Sequence, residues 1–255
     1  MAKYRIGITE CGDAGIDLSW KEKMGCVDAA ILITKEITPE FIEAVLEFKD
    51  RVIVHSTITG YGGTVLEPNV PRPEVEIKAT NNLVRKGFPK SHIVIRVDPI
   101  IPTNKGFIRA TRVFNKCIES GYERYRVSII DMYHHVRERF KQHNLPLPYG
   151  ENFYPNRMQF ITADSVPVLA KAIWRTKHPD NPDGISIEGC CEPMMKCCTE
   201  CGCISKHDLN ILGLVDDEDD YPGYQRKYCS CYSGKTELLE SKHQCAHGCL
   251  YCYWK

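Results

Sequence analysis

Residues 29–59 read AAILITKEITPEFIEAVLEFKDRVIVHSTIT. Two apolar, β-branched runs, AAILIT (29–34) and VIVHSTIT (52–59), flank a stretch of helical character. Strands covered on both faces lose the alternation of a half-exposed strand, so near-continuous runs of this kind suit a parallel sheet layered with helices. In the stretch between, Thr38 is placed to cap a helix and Pro39 takes its first position. Phe41, Ile42, Val45 and Leu46 then form one apolar stripe. The unit is strand–helix–strand, and its crossover makes the two strands parallel.

The same pattern extends in both directions. YRIGIT (4–9), HIVIRV (92–97), YRVSII (125–130) and GISIEG (184–189) are further strands. Helices are expected at 73–87, stopping before Gly87, at 107–119, and at 164–176 after Asp164. Six β/α repeats predict an α/β fold, either an open parallel sheet or a partial barrel. In both, ligands gather where strands end at their carboxyl side. Polar residues do follow the strands: Glu10, Lys35, the stretch 56–59, Asp98, Asp131 and Cys190.

The 255 residues allow one large domain, or one with a small appendage. Lys+Arg and Asp+Glu are equal at 33 each, so no net field draws the chain to nucleic acid, and any such contact needs a local patch. KGFIRATR (105–112) and the helix-like YHHVRERFKQH (133–143), with His135, Arg137, Arg139 and Lys141, offer such a patch or a solvated helix face. No apolar run reaches about 18 residues, so no membrane span is expected. The opening MAKYRIGITECG has no secretory signal character, and a cytoplasmic location is expected.

In a reducing compartment, 14 cysteines argue for metal ligation over disulfides. Cys11, Cys26 and Cys117 are scattered and read as small apolar residues. The other eleven crowd past residue 189, which divides the chain into a β/α part (1–189) and a cysteine-rich part (190–255). Within the latter, GLVDDEDDYPGYQRKY (213–228) reads as a solvated loop.

CAHGCLYCYWK (245–255) places Cys245, Cys249 and Cys252 at C-x3-C-x2-C spacing. A four-iron cubane takes four ligands, so three thiolates leave one iron open to a substrate or cofactor. The spacing, with aromatic Tyr251 before the third cysteine, resembles the motif of radical S-adenosylmethionine enzymes. There the open iron chelates the cofactor and the aromatic residue lies by the adenine. Two further readings stay open: a zinc site joining CLYC (249–252) to CTEC (198–201), and a purely structural tail.

Seven blocks, in order, resemble one uncharacterised family, a domain of unknown function. They are STITGYGGTVLEPNVP (56–71), IRVDPII (95–101), VSIIDMYHH (127–135), CCE (190–192), CISKHDLNILG (203–213), CSC (229–231) and CAHGCLYCYW (245–254). The family looks like a radical S-adenosylmethionine barrel whose cluster motif has moved to the carboxyl-terminal end. GITECGDAGID (7–17) matches its opening only loosely. The resemblance implies a permuted partial (β/α)6 barrel of that type with a cysteine-rich C-terminal extension. It implies an open-iron [4Fe–4S] cluster on Cys245, Cys249 and Cys252 that binds S-adenosylmethionine. It also implies a second [4Fe–4S] cluster on Cys190, Cys203, Cys229 and Cys231. Cys191, Cys197, Cys198 and Cys201 depart from the pattern, and the ligand assignment among them stays open.

Around such a cofactor, Arg96 suits its carboxylate, or pairs with Asp98 or Glu67. The loop TGYGG (59–63) brings Thr59, Gly60, Gly62 and Gly63 close to a ligand, or forms a plain turn. Asp98, Glu67 and Asn69 are candidates for the cofactor's polar groups. Asp131 and Tyr133 are the catalytic candidates, Tyr133 as a donor of a proton or hydrogen atom. The activity implied is formation of a 5′-deoxyadenosyl radical, fed by flavodoxin or ferredoxin. The substrate suggested by the radical isomerases of phage thymidine hypermodification is a glycyl-thymidine in modified DNA. A peptide or free nucleotide is the alternative substrate, and a non-catalytic zinc or iron–sulfur binding protein the alternative class.

Overall fold

The structure, a computed structural model, describes residues 3–148, 185–192, 198–215, 229–240 and 245–254. The expected helix at 164–176, Cys197 and most of the acidic loop (216–228) lie outside them. The strands are β1 (Ile6–Ile8), β2 (Ala29–Thr34), β3 (Val52–Thr57), β4 (Ile93–Ile100), β5 (Arg124–Ile129), β6 (Ser186–Cys190), β7 (Thr199–Cys201) and β8 (Lys235–Glu237). They form one curled, wholly parallel sheet in the order β7-β6-β5-β4-β3-β2-β1-β8. The α/β class is therefore as expected, but the sheet has eight strands instead of six. The two additional strands are the short segments TEC and KTE, which carry no apolar run. They are strands because each pairs with an existing edge, and both lie past residue 189, so the sheet runs across that change of composition.

The helices are α1 (Trp20–Lys23), α2 (Pro39–Leu46), α3 (Pro73–Arg85), α4 (Asn104–Glu119), α5 (His134–Gln142) and α6 (Lys206–Ile211). Thr38 caps α2 as its sequence requires, its side chain accepting from Phe41 N–H. Helix α4 starts three residues before the expected position because Thr103 caps it, accepting from Gly106 N–H. None of the helices among the described residues is long and apolar enough to cross a membrane.

Alternate residues of each strand face opposite ways, and the two faces are filled differently. On the outer face Leu32, Val54, Ile95 and Val127 pack with Phe41 of α2, Leu83 of α3 and Phe114 of α4. On the inner face Ile6, Ile8, Ile31, Ile53 and Val94 pack with Cys190, Cys191, Cys201, Cys203, Cys229 and Cys231. These six cysteines thus line the inner face of the sheet.

That lining is tied down by charge. Arg124 and Arg126 project inward from β5 and meet Glu188 of β6 and Asp208 of α6. Arg124 Nη2 lies 2.9 Å from Glu188 Oε1 and 2.7 Å from Asp208 Oδ1, and Arg126 Nη2 lies 2.5 Å from Glu188 Oε2. All four are buried, with Arg126 and Asp208 wholly so. Arg126 Nη1 also donates to the Cys203 carbonyl at 2.9 Å, which places that thiol. Burial alone would raise the Asp208 carboxyl, but Arg126 and Arg124 pull it below the usual carboxylate range.

Replacing one partner of such a group strands a buried charge. Glu188→Ala should lower stability at neutral pH by about 3–5 kcal/mol, read as a fall in the urea midpoint. The Asp208 contribution is complete above the unfolded aspartate value of about 3.9 and disappears as pH falls through the lower folded value.

Candidate functional site

The tail bearing Cys245, Cys249 and Cys252 is held against the loops that follow β1, β2 and β3. Asp13, buried after β1, accepts from Gly15 N–H at 2.9 Å, from Thr34 Oγ1 at 2.6 Å and from Lys35 N–H at 2.6 Å. Its Oδ2 lies 2.8 Å from His247 Nε2, inside the motif. Burial opposes a charge on His247, but the hydrogen bond and charge of Asp13 outweigh it and hold the imidazole above its ordinary value. Asn69 donates from N–H to the His247 carbonyl at 3.3 Å and from Nδ2 to Ala246 at 2.8 Å. Leu250 N–H donates to the Leu66 carbonyl at 3.0 Å. On the other flank Arg139 of α5 donates to the carbonyls of Cys252 at 2.7 Å and Trp254 at 2.9 Å.

Three residues assigned to the cofactor from sequence converge beneath the motif. The Tyr251 phenol donates to Glu67 Oε1, and Thr59 Oγ1 donates to Glu67 Oε2 at 2.7 Å. Lys35, marked in the sequence only as a polar residue after a strand, lies 3.0 Å from Glu67 and 2.9 Å from the Tyr251 oxygen. Burial opposes its charge, yet Glu67 and then Cys249 hold its pKa above the ordinary value. Burial pushes the Cys249 thiol up to about 12 despite Lys35, and raises Cys245 as well. Each of these thiols also feels the charge of Cys252, so the three sulfurs form one electrostatic group. Metal binding there would release protons.

The TGYGG loop owes its glycines to its own path. Gly60 has φ +87°, and a Cβ on Gly62 would lie 1.9 Å from the Pro71 carbonyl oxygen. Arg109 of α4 donates to the Gly60 carbonyl at 2.8 Å. Arg109 and Arg139, two arginines of the basic patch expected at 105–141, are therefore engaged in holding a loop and the tail. Asp131 follows β5, and Tyr133, half-exposed, stacks on His135 with ring centres 5.8 Å apart and lies 6.3 Å from Tyr253.

The second cysteine group lies inside the sheet. Cys190 ends β6, and its sulfur is 3.7 Å from that of Cys203, which follows β7. Cys203 N–H donates to Cys231 Sγ at 3.0 Å, and Cys229 is buried in the same cluster. Among the described residues no three Cys, His, Asp or Glu side chains already stand in a metal-binding arrangement; the Cys203 thiol neighbours those of Cys190 and Cys231, and Cys190 also meets Cys191. Cys201 packs with this group, whereas Cys198 packs against the outer-face core. Between the groups Arg96 donates from Nε and Nη2 to Asp98 Oδ2 at 2.9 and 2.5 Å, the ion pair anticipated as one role for Arg96.

One family model, described as Domain of unknown function (DUF1848), matches residues 17–254. The chain belongs to this family. No curated protein and no solved structure matches it. The DUF1848 match takes in β2 to β8 and both cysteine groups, and leaves out β1 and Asp13. The loosely matching opening stretch, 7–17, falls almost entirely outside it.

Sequence reasoning missed Asp13, His247 and Arg139, which dock the motif, and the four charges behind Cys203. The arginines carried a signal: in RYRVS (124–128) two charges recur at the period of a strand, which puts both on one face. Arg139→Ala should speed amide hydrogen exchange over residues 250–254 about tenfold or more, since hydrogen bonds from a charged donor contribute about 1.5–3 kcal/mol. The melting temperature of the whole chain should move little.

Proposed function

We propose that the protein is a radical S-adenosylmethionine enzyme on a permuted partial barrel. Cys245, Cys249 and Cys252 would hold an open-iron [4Fe–4S] cluster, and Cys190, Cys203, Cys229 and Cys231 a second one. The observation that supports this best is the docking of a C-x3-C-x2-C motif onto the loops after three adjacent parallel strands. There Glu67, Thr59 and Tyr251 are already oriented by one another. The donor set suits the group, because soft thiolates are the usual iron–sulfur ligands and three of them leave one iron open. Held by these thiolates, such a cluster would supply one electron for reductive cleavage of S-adenosylmethionine to methionine and a 5′-deoxyadenosyl radical able to abstract hydrogen from the substrate.

The chain's own residues do the positioning. Asn69 and Arg139 fix the motif's backbone, Asp13 holds its His247 side chain, and Lys35 brings a positive charge beside Cys249. Glu67 orients the Tyr251 ring, which would lie by the adenine. As substrate we propose a glycyl-thymidine in DNA, with isomerisation of the attached amino acid as the reaction. What favours a planar base is the half-exposed Tyr133 and Tyr253 beside the motif, with His135 stacked on Tyr133, since aromatic faces accept stacked bases. Tyr133 and Asp131 would serve that substrate, and a flavodoxin or ferredoxin in the cytoplasm would supply electrons.

A second reading for the inner group is a single zinc ion. Tetrahedral bonds of about 2.3 Å set sulfurs about 3.8 Å apart, close to the 3.7 Å between Cys190 and Cys203. Anaerobic purification with iron, sulfide and zinc analysis separates the two. The proposed enzyme carries about eight irons per chain and forms 5′-deoxyadenosine from S-adenosylmethionine and dithionite. Cys249→Ala should halve the iron and abolish that product. A colourless, zinc-loaded chain that leaves the cofactor intact after reconstitution refutes the reading.

A further inference from the structure

Strand register sets four inner-face residues in one row across the sheet. Thr57 pairs with Arg96, Arg96 with Arg126, and Arg126 with Glu188. Arg126 and Glu188 satisfy each other. At the other end of the row, Arg96 Nη1 and Thr57 Oγ1 are buried without a hydrogen-bond partner among the described residues. A buried, unsatisfied donor atom on a cation is costly, and native structures rarely tolerate one.

The rest of the guanidinium is committed. Nε and Nη2 both donate to Asp98 Oδ2, which locks its plane. After Asp98, the titratable groups with the largest electrostatic bearing on Arg96 are Cys203 and then Cys190. Cys190 follows Glu188 by two residues and so projects to the same inner face. Asp98, in turn, lies within electrostatic reach of Lys35, which neighbours Cys249. The ion pair stands between the two cysteine groups, with its cation toward the inner one.

We infer that Arg96 Nη1 donates a hydrogen bond to a sulfur of the iron–sulfur cluster held by Cys190, Cys203, Cys229 and Cys231, and that this contact sets how readily that cluster is reduced. The inference rests on the iron–sulfur reading above and takes Arg96 away from the cofactor carboxylate. A reduced cluster carries one more negative charge, so a donor cation favours reduction.

The test uses the reconstituted Cys249→Ala chain, in which the inner cluster can be titrated alone by electron paramagnetic resonance. Adding Arg96→Met should leave the iron near four per chain and make reduction about tenfold harder, a downward shift of ~59 mV for one electron. Arg96→Lys keeps the charge without the fork; it should shift the potential less, and carries the test if the Met variant does not fold. In the chain with both clusters, Arg96→Lys should leave the spectral response of the tail cluster to S-adenosylmethionine unchanged. Iron retained with an unmoved potential overturns the inference, and loss of that response alongside it returns Arg96 to the carboxylate. A Cys249→Ala chain that holds zinc or no metal overturns the iron–sulfur reading itself.

Discussion

Two guanidinium groups and two carboxylates, all buried, form the contact on which the inner half of this structure depends. Apolar packing alone would let the cysteine-rich stretch slide along the sheet, because cysteine contacts are soft and undirected. Charge does not permit that. Asp208 must reach Arg124 and Arg126 at once, and Glu188 must sit opposite them on β6. A quartet of this kind adds little net stability over a well-packed apolar core, but any register that leaves one member unpaired is heavily disfavoured. Position is what it supplies, and Cys203 inherits that position through its carbonyl.

The tail is positioned by different means. Backbone carbonyls of the motif meet Asn69 and Arg139, and its histidine meets Asp13, so the fit is made mostly of directed hydrogen bonds. Between the two regimes runs an alternation of charge: Cys249, Lys35, Asp98, Arg96 and then Cys203 and Cys190. Each positive side chain adjoins a thiol group and is balanced by a carboxylate on its other side. Lys35 and Arg96 partly offset the rise that burial and neighbouring groups impose on the Cys249 and Cys190 thiols, without reversing it.

Much of the sheet was legible because buried parallel strands are written as apolar, β-branched runs, and β2 to β5 fall on AAILIT, VIVHST, IVIRVDPI and RYRVSI. TEC and KTE were not legible, since their strand character comes wholly from an edge that residues far away provide. The start of α4 slipped for a local reason, Thr103 being a better cap than the apolar pattern alone suggests. At the site, C-x3-C-x2-C was read from spacing, and the inner group needed a family resemblance because its members are scattered over forty-odd residues. Asp13 and His247 touch only after the chain has closed on itself, and neither carries a mark of that in its neighbourhood. Arg139 misled for a similar reason: a basic helix face looks solvated until the carbonyls it caps come into place.

The placement of β8 bears on how the chain reaches this state. It pairs with β1, and the sequence between them includes nearly the whole sheet. Closing so long a loop is entropically expensive and gains nothing until the contact is made, which favours slow folding with this edge formed late. Cys229 and Cys231 lie just ahead of β8, and Cys231 abuts the Cys203 backbone at the far end of the strand order. Completion of the sheet and assembly of the inner thiol group are therefore one event. A nascent chain has the fold's central strands long before its inner thiols can meet.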